Sequence, residues 1–442
     1  MQQLHDRQVF GLLMPLLLAA VTAALIAFYL QTQPMLSKAG GAGWEGIDYA
    51  RVADQIASGE VPHAAQPVIY RLGTPLSAAA LKWLGLADST VLAFRTINLS
   101  FGFLNVLLIY ALVTWFAGRL WGFSVGVLYA AHWVSPLRLI VFSPVLTDAG
   151  ALFFLYLGFA LLLLFRDRAV LASLAVAATV FLGSLFREFA LFLPMGAIVA
   201  GMMAVPPGRW RAPEGRRRLL SATMPGLLGL LAGVSGLLLV RFLVDVETEQ
   251  AESYANYTFF SAALFHFWIN SPQFFLQALF TTFGLFLLFP ALQWRALRAY
   301  ATDNPLPFAM LVVLLPMAYI GGYDVERYLN WAFPFGWILI IQALRQERLS
   351  WPVIVLLLIF ALVFVCRLPW PIPDYRSGAV SPFPIFTYLT GDFRFHDLYV
   401  IHSEKLASGK IFYEYLLASA VLVCILRREQ LRNRFRQILG RA

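Results

Sequence analysis

Charge and cysteine are the two things this sequence has least of. Only 13% of its 442 residues are charged, while 60% are hydrophobic and the mean hydropathy is +0.72, well above the roughly 45–50% apolar content of soluble domains. That balance excludes an ordinary soluble domain and points to an integral membrane protein. The two cysteines, Cys366 and Cys424, each lie near the end of an apolar run; the topology below puts them near opposite faces, beyond the reach of a disulfide. No CxxC or Cys/His cluster occurs, and His63, His132, His266, His396 and His402 have no metal-ligand spacing, which argues against a zinc or iron–sulfur centre. No inverted repeat of the transporter kind is visible.

What is present is a series of apolar runs of about twenty residues along the whole length, the mark of spanning helices rather than of the roughly ten-residue alternating strands of a barrel. Twelve spans are expected, at about 10–30, 92–116, 121–142, 146–165, 169–186, 188–205, 219–243, 273–293, 306–321, 328–344, 352–367 and 411–426. The chain thus reads as one all-α polytopic domain, 1–442, whose first run is an uncleaved signal anchor. With the N-terminus inside, the inner segments hold 19 of the 33 basic residues against 6 acids, so the inner face carries +13 and the outer face −4. The positive-inside rule then puts both termini in the cytoplasm, with the basic excess set against anionic lipid and not nucleic acid. The long connections, 31–91, 244–272 and 368–410, all fall outside. Machinery acting on the exterior, the periplasm for a bacterial inner membrane, is where this asymmetry points.

The first outer loop carries the chemistry-bearing side chains. Tyr49, Val52, Ala53 and Ile56 recur at helical spacing opposite Arg51, Asp54 and Gln55, so a short amphipathic helix is expected between Asp48 and Gly59. Asp48 reads either as its N-cap or as a general base, two compatible roles. Glu45, three residues earlier, is a second acid or a solvated loop residue. Tyr70-Arg71 precedes Thr74-Pro75, a cap followed by a first-turn proline, so a second helix is expected from there to about Trp83 with Arg71 close to Asp48. Arg71 suits a phosphate, which a guanidinium grips bidentately, or a salt bridge to Asp48 or Glu45. Asp148 opens the fourth run, and Arg187-Glu188 sits in an apolar turn where charges need partners, Asp148 being the candidate for Arg187. Arg327 and Tyr328 follow Asp324 and Glu326 ahead of the tenth run, and suit a lipid phosphate or an aromatic anchor.

Taken in order, D-Y-x-x-x-A-x-x-I-x-x-G (Asp48 to Gly59), Y-R-x-G-x-P (Tyr70 to Pro75), Leu146-Thr147-Asp148, Phe186-Arg187-Glu188 and Glu326-Arg327-Tyr328-Leu329 before Pro334 resemble the GT-C superfamily of polytopic glycosyltransferases over about residues 1–345. The resemblance implies a polyprenyl-phosphate-linked sugar donor in the outer leaflet and inverting transfer to a hydroxyl of a glycan, lipid or protein acceptor. It implies Asp48 as general base, with Glu45 its competitor because some relatives carry an acid there. Asp148 matches the second-loop acid, which supports the base or, in some members, a divalent metal; no other cofactor is implied. Arg71, Arg187 and Arg327, with Tyr70, Glu188 and Tyr328 beside them, would neutralise the departing phosphate. The loop 368–410, rich in aromatics and proline, is a candidate acceptor site. The chain lacks the large soluble C-terminal domain of oligosaccharyltransferases, which disfavours protein N-glycosylation. Two other readings stand beside this one: a lipid-linked sugar transporter or flippase with the first loop as a gate, and a polysaccharide polymerase or ligase.

Overall fold

The computed structural model describes residues 2–132, 135–246, 272–321, 325–347, 351–366 and 416–425, with isolated positions 349, 368, 371, 372, 374 and 427. Residues 247–271 of the loop 244–272, with His266, and His396, His402, Asp324, most of 368–410 and the side chain of Glu326 lie outside the described residues. The first part of the chain forms ten helices: α1 (Gln2–Thr32), α2 (Gly46–Ser58), α3 (Gly73–Trp83), α4 (Thr90–Ala117), α5 (Arg119–Ala131), α6 (Pro136–Phe142), α7 (Asp148–Leu164), α8 (Ala169–Phe186), α9 (Phe192–Ala204) and α10 (Pro213–Leu243). Further helices follow, among them Pro272–Phe283, Trp294–Asp303, Pro305–Ile320, Phe333–Glu347 and Trp351–Phe360.

The all-α expectation holds, and the architecture is compatible with a multi-pass membrane protein. The count of twelve spans does not hold. Among the described residues, six helical stretches are long and apolar enough to cross: Leu12–Thr32, Thr90–Ala117, Arg119–Phe142, Ala169–Phe186, Pro213–Leu243 and Phe275–Leu292. A seventh is added if Trp294–Asp303 and Pro305–Ile320, bent by 112° at their junction, form one broken span. The physical reason is local. Several apolar runs fold into helices too short for the about 30 Å hydrocarbon core: α7 has 17 residues, about 25 Å at 1.5 Å per residue, and the 352–367 run breaks into the ten-residue Trp351–Phe360 helix and a π turn.

Glycine sets how closely the helices approach. Gly226, Gly229, Gly233 and Gly236 line one face of α10 at three- and four-residue spacing. A Cβ on them would come within 2.6 Å of Ile198, 2.7 Å of Val176, 2.4 Å of Leu191 and 2.2 Å of Ser184. That face is therefore flush against α8, α9 and the turn between them, the close small-residue packing that apolar helices use in place of a hydrophobic drive.

The helix ends sort into two sets. At one end, the Arg345 guanidinium donates to the Ala117 carbonyl at 2.6 Å, and Glu347 accepts from both Gln293 and Arg427 at 2.6 Å. At the other, the only strand pairing among the described residues joins His63–Ala64 to Asp245–Val246 in parallel, tying the first loop to the end of α10. Arg345 and Arg427, two of the basic residues assigned to the inner side, thus lie away from the first loop.

Within that loop, α2 forms with the expected polarity and buries Tyr49, Val52 and Ala53. Gly59 closes it in the left-handed conformation at φ 80°, the usual glycine stop. Asp54 on the opposite face accepts from Thr90 Oγ1 at 2.5 Å and from Lys82, which clips α2, α3 and α4 together. The loop is a folded element, packed through Val68, Ala78, Phe94 and Val145 onto the bundle.

Candidate functional site

Three expectations about local structure are corrected. Asp48 is not the cap of α2: the helix begins at Gly46 with Glu45 at its flank, no side chain caps it, and Asp48 lies inside the first turn. Its carboxylate takes a guanidinium hydrogen bond from Arg51 at 2.8 Å, one helical turn on. Asp48 therefore does not meet Arg71. Likewise α3 begins at Gly73 with Leu72 at the cap position, so Thr74 and Pro75 fall within its buried first turn.

Arg71 is instead the centre of a group drawn from three parts of the chain. It follows the single 3-10 turn Val68–Tyr70 and is buried. Its Nε and Nη2 donate to the two carboxylate oxygens of Glu188 at 3.1 and 2.6 Å, the fork geometry that lysine cannot reproduce. Its Nη1 donates to the Tyr49 hydroxyl at 2.9 Å and lies 4.0 Å from Glu45 Oε2. Burial alone would work against the Arg71 charge; the Glu188 carboxylate and then the Tyr49 hydroxyl outweigh it and hold the guanidinium firmly protonated. Glu188, in the turn between α8 and α9, responds in kind. Partial desolvation pushes its carboxyl up, although 49% of the side chain stays accessible, but Arg71 and then Arg187 pull it down to about 2.

The wedge that brings these charges together is Phe186. It ends α8, and its ring lies where a Cβ on Gly73 or Gly150 would be, at 2.5 and 2.4 Å. Glycine at both positions lets α3 and α7 close on the ring from two sides. Arg187 then takes an extended backbone, φ −159° and ψ 151°, between helix and 3-10 turn. An extended residue sends successive side chains apart: Arg187 pairs with Asp148, as its isolation in an apolar turn implied, while Glu188 reaches Arg71.

Asp148 is the first residue of α7, buried with 7% of its side chain exposed. Its Oδ1 takes Arg187 Nη1, and its Oδ2 lies 3.8 Å from Arg327 Nε. Two asparagines that motif order alone does not single out set its position. Asn98 donates to the carbonyls of Pro144 and Leu146 at 3.0 and 2.7 Å, and Asn105 to that of Ala149 at 2.9 Å. Both come from the same face of α4, seven residues apart, and that spacing of amides in an apolar helix was the available signal. Arg327 is brought up by a similar tether: Tyr156 on α7 donates to the Asn330 carbonyl at 2.5 Å, and Asn330 donates to the Arg327 carbonyl at 3.3 Å.

The group thus contains Arg71, Arg187 and Arg327 among Glu45, Asp148 and Glu188, three cations and three anions. Glu45 is its most exposed acid, with 66% of its side chain accessible, against 36% for Asp48, which stands apart with Arg51. Tyr70 and Tyr328 stand beside the group. The Tyr70 ring lies under the Arg241 guanidinium at 5.0 Å, and the Tyr328 ring lies 4.8 Å from that of Trp331, tilted by 36°, with Arg327 over it at 5.4 Å. A narrow cavity touches Asp148, Arg327, Leu146 and Pro136.

A divalent metal does not fit at Asp148. Its carboxylate faces two guanidiniums where a cation would sit, and among the described residues no three His, Cys, Asp or Glu side chains converge. Cys366 is buried and Cys424 exposed, both free thiols. No family model, curated protein or solved structure matches the chain.

Proposed function

We propose that the protein is a membrane glycosyltransferase that moves a sugar from a polyprenyl-phosphate donor to an acceptor hydroxyl, with inversion, at the end of the bundle carrying Arg71. The observation that carries this reading is the convergence of three arginines from distant parts of the chain beside Glu45, the most exposed carboxylate of the group at 66%, whereas Glu188 at 49% is held bidentately by Arg71. Displacement at the anomeric carbon forms a bond to the acceptor oxygen as the bond to the phosphate oxygen breaks. The acceptor proton goes to a base, and the electron pair leaves on the phosphate. Fixed cations stabilise that developing charge, often the largest single term in such a reaction.

Of the two candidate acids, Asp48 and Glu45, we assign the base to Glu45. Glu45 is accessible to an incoming hydroxyl and borders Arg71, whereas Asp48 is engaged by Arg51. Asp148, buried between Arg187 and Arg327, is a positioning residue that holds both guanidiniums. Arg327 also lines the narrow crevice of about 10 Å³ beside Asp148. In this reading the cell location is a bacterial inner membrane, with both termini cytoplasmic and the site facing the periplasm, and the acceptor is a glycan, lipid or protein.

The test is turnover of a polyprenyl-phosphate hexose, tritiated in the sugar, by the full chain in lipid nanodiscs. Glu45→Gln is expected to lower release of polyprenyl phosphate by about 10²–10⁴ while donor binding persists, and Asp48→Asn to have a far smaller effect. Wild-type protein that carries the donor across a vesicle membrane without cleaving it would make the protein a transporter and end this reading.

A further inference from the structure

At the far end of the same helices from Asp148 there is a cavity that the proposed transfer does not use. It has a volume of about 400 Å³ and opens between the end of α7, the start of α8, the end of α9, the start of α10 and Leu306. Its walls are small and apolar, with Ala169, Ala200 and Ala204 among them, and Ser221 contributes a hydroxyl. Arg166 and Arg218 also line it. Arg166 has an exposed neighbour, Asp167, at 3.7 Å and lies 5.8 Å over the Trp115 ring. Arg218 belongs to an exposed basic segment with Arg209, Arg211, Arg216 and Arg217, where Glu214 is the one acid.

We infer that this cavity binds an anionic phospholipid, its phosphate between Arg166 and Arg218 and the upper part of an acyl chain along the alanine wall of α8 and α9. The combination selects the occupant. Two arginines call for an anion, and guanidiniums are the side chains best matched to phosphate oxygens. The remaining wall offers a sugar or a nucleotide almost no hydrogen bonds, whereas hydrocarbon leaves nothing unsatisfied there. Basic pockets between membrane helices on the positively charged side suit such headgroups. The site needs only the multi-pass membrane reading and is independent of sugar transfer.

Native mass spectrometry of the full chain in mild detergent tests it, with phosphatidylglycerol and phosphatidylcholine of identical acyl chains as probes. One phosphatidylglycerol is expected to stay bound where phosphatidylcholine is lost. Arg166→Gln with Arg218→Gln should weaken retention about thirtyfold, from two cation–headgroup contacts of about 1 kcal/mol each. Ala204→Trp, which fills the mouth at an exposed position without touching charge, should do the same if the double variant fails to fold. Arg209→Gln with Arg211→Gln removes equal charge outside the cavity and should leave retention unchanged, as should millimolar inorganic phosphate. Equal retention of the two lipids, retention unmoved by Ala204→Trp, or displacement by inorganic phosphate overturns the inference. Glu45→Gln should retain the lipid, which separates failure here from failure of the transfer reading.

Discussion

Neighbouring charges in one turn serve different partners: Arg187 holds Asp148, and Glu188 holds Arg71. The consequence for pH follows from Glu188. Partial desolvation works to raise its carboxyl, but Arg71 and then Arg187 pull it from an ordinary 4.5 to about 2. A carboxyl with a depressed folded pKa adds stability that is fully present above its unfolded value and lost as pH falls through the folded one. Wild type should therefore lose thermal stability from about pH 4.5 down toward 2, and Glu188→Gln should lose less over that window. Unfolding midpoints taken across roughly pH 2–7 check it; parallel profiles for the two proteins would show that the Arg71 pair adds nothing. The Arg187–Asp148 pair was legible in the sequence because a charge in an apolar turn needs an opposite charge, and Asp148 was at hand. The Arg71–Glu188 pair was not. Two nearer acids, Glu45 and Asp48, competed for Arg71; Glu45 keeps a 4.0 Å contact, but the closing of α3 on α8 gives the bidentate pair to Glu188.

Among the elements, the α8 terminus is the joint. Phe186 fills the space left by Gly73 on α3 and Gly150 on α7, so the first loop and the bundle share one ring. A methyl at Gly73 would stand 2.5 Å from that ring. Gly73→Ala is expected to cost about 1–3 kcal/mol through overpacking, read as a lower unfolding midpoint, with Phe186→Leu in the same chain restoring part of it. If Gly73→Ala alone left the midpoint where it was, the wedge would not be what joins the loop to the bundle. Helix periodicity makes α2 legible from the amino acids alone, since Tyr49, Val52 and Ala53 share a face. The start of α3 is not legible in the same way. Thr74-Pro75 is a strong cap signal, and burial of that turn under Phe186 overrides it.

The described residues place separate polar contacts at the two ends of the helices. Arg345, Glu347, Gln293 and Arg427 meet at one end, and the first loop meets the end of α10 at the other. From the positive-inside rule we propose that the first end faces the cytoplasm. In a chain carrying Cys366→Ser and Cys424→Ser, a membrane-impermeant maleimide added to intact cells should label Glu60→Cys and leave Trp210→Cys untouched until the membrane is opened. The reverse labelling pattern would invert the orientation and move the Arg71 group to the cytoplasmic side.

Composition alone determined that this chain is apolar, helical and multi-pass in character, because the cost of leaving a backbone unpaired in hydrocarbon permits little else for runs of this length. Periodicity determined α2, and the isolation of charge in apolar surroundings determined the Arg187–Asp148 pair. The number of long helices was a tertiary matter: kinks, π turns and short helices such as α7 depend on packing that a hydropathy run does not register. So was the choice of first-loop acid beside Arg71. Asp48 and Glu45 differ by less than one helical turn, and which of them faces Arg71 followed from where α2 begins and from the seat of Gly46 against Val145.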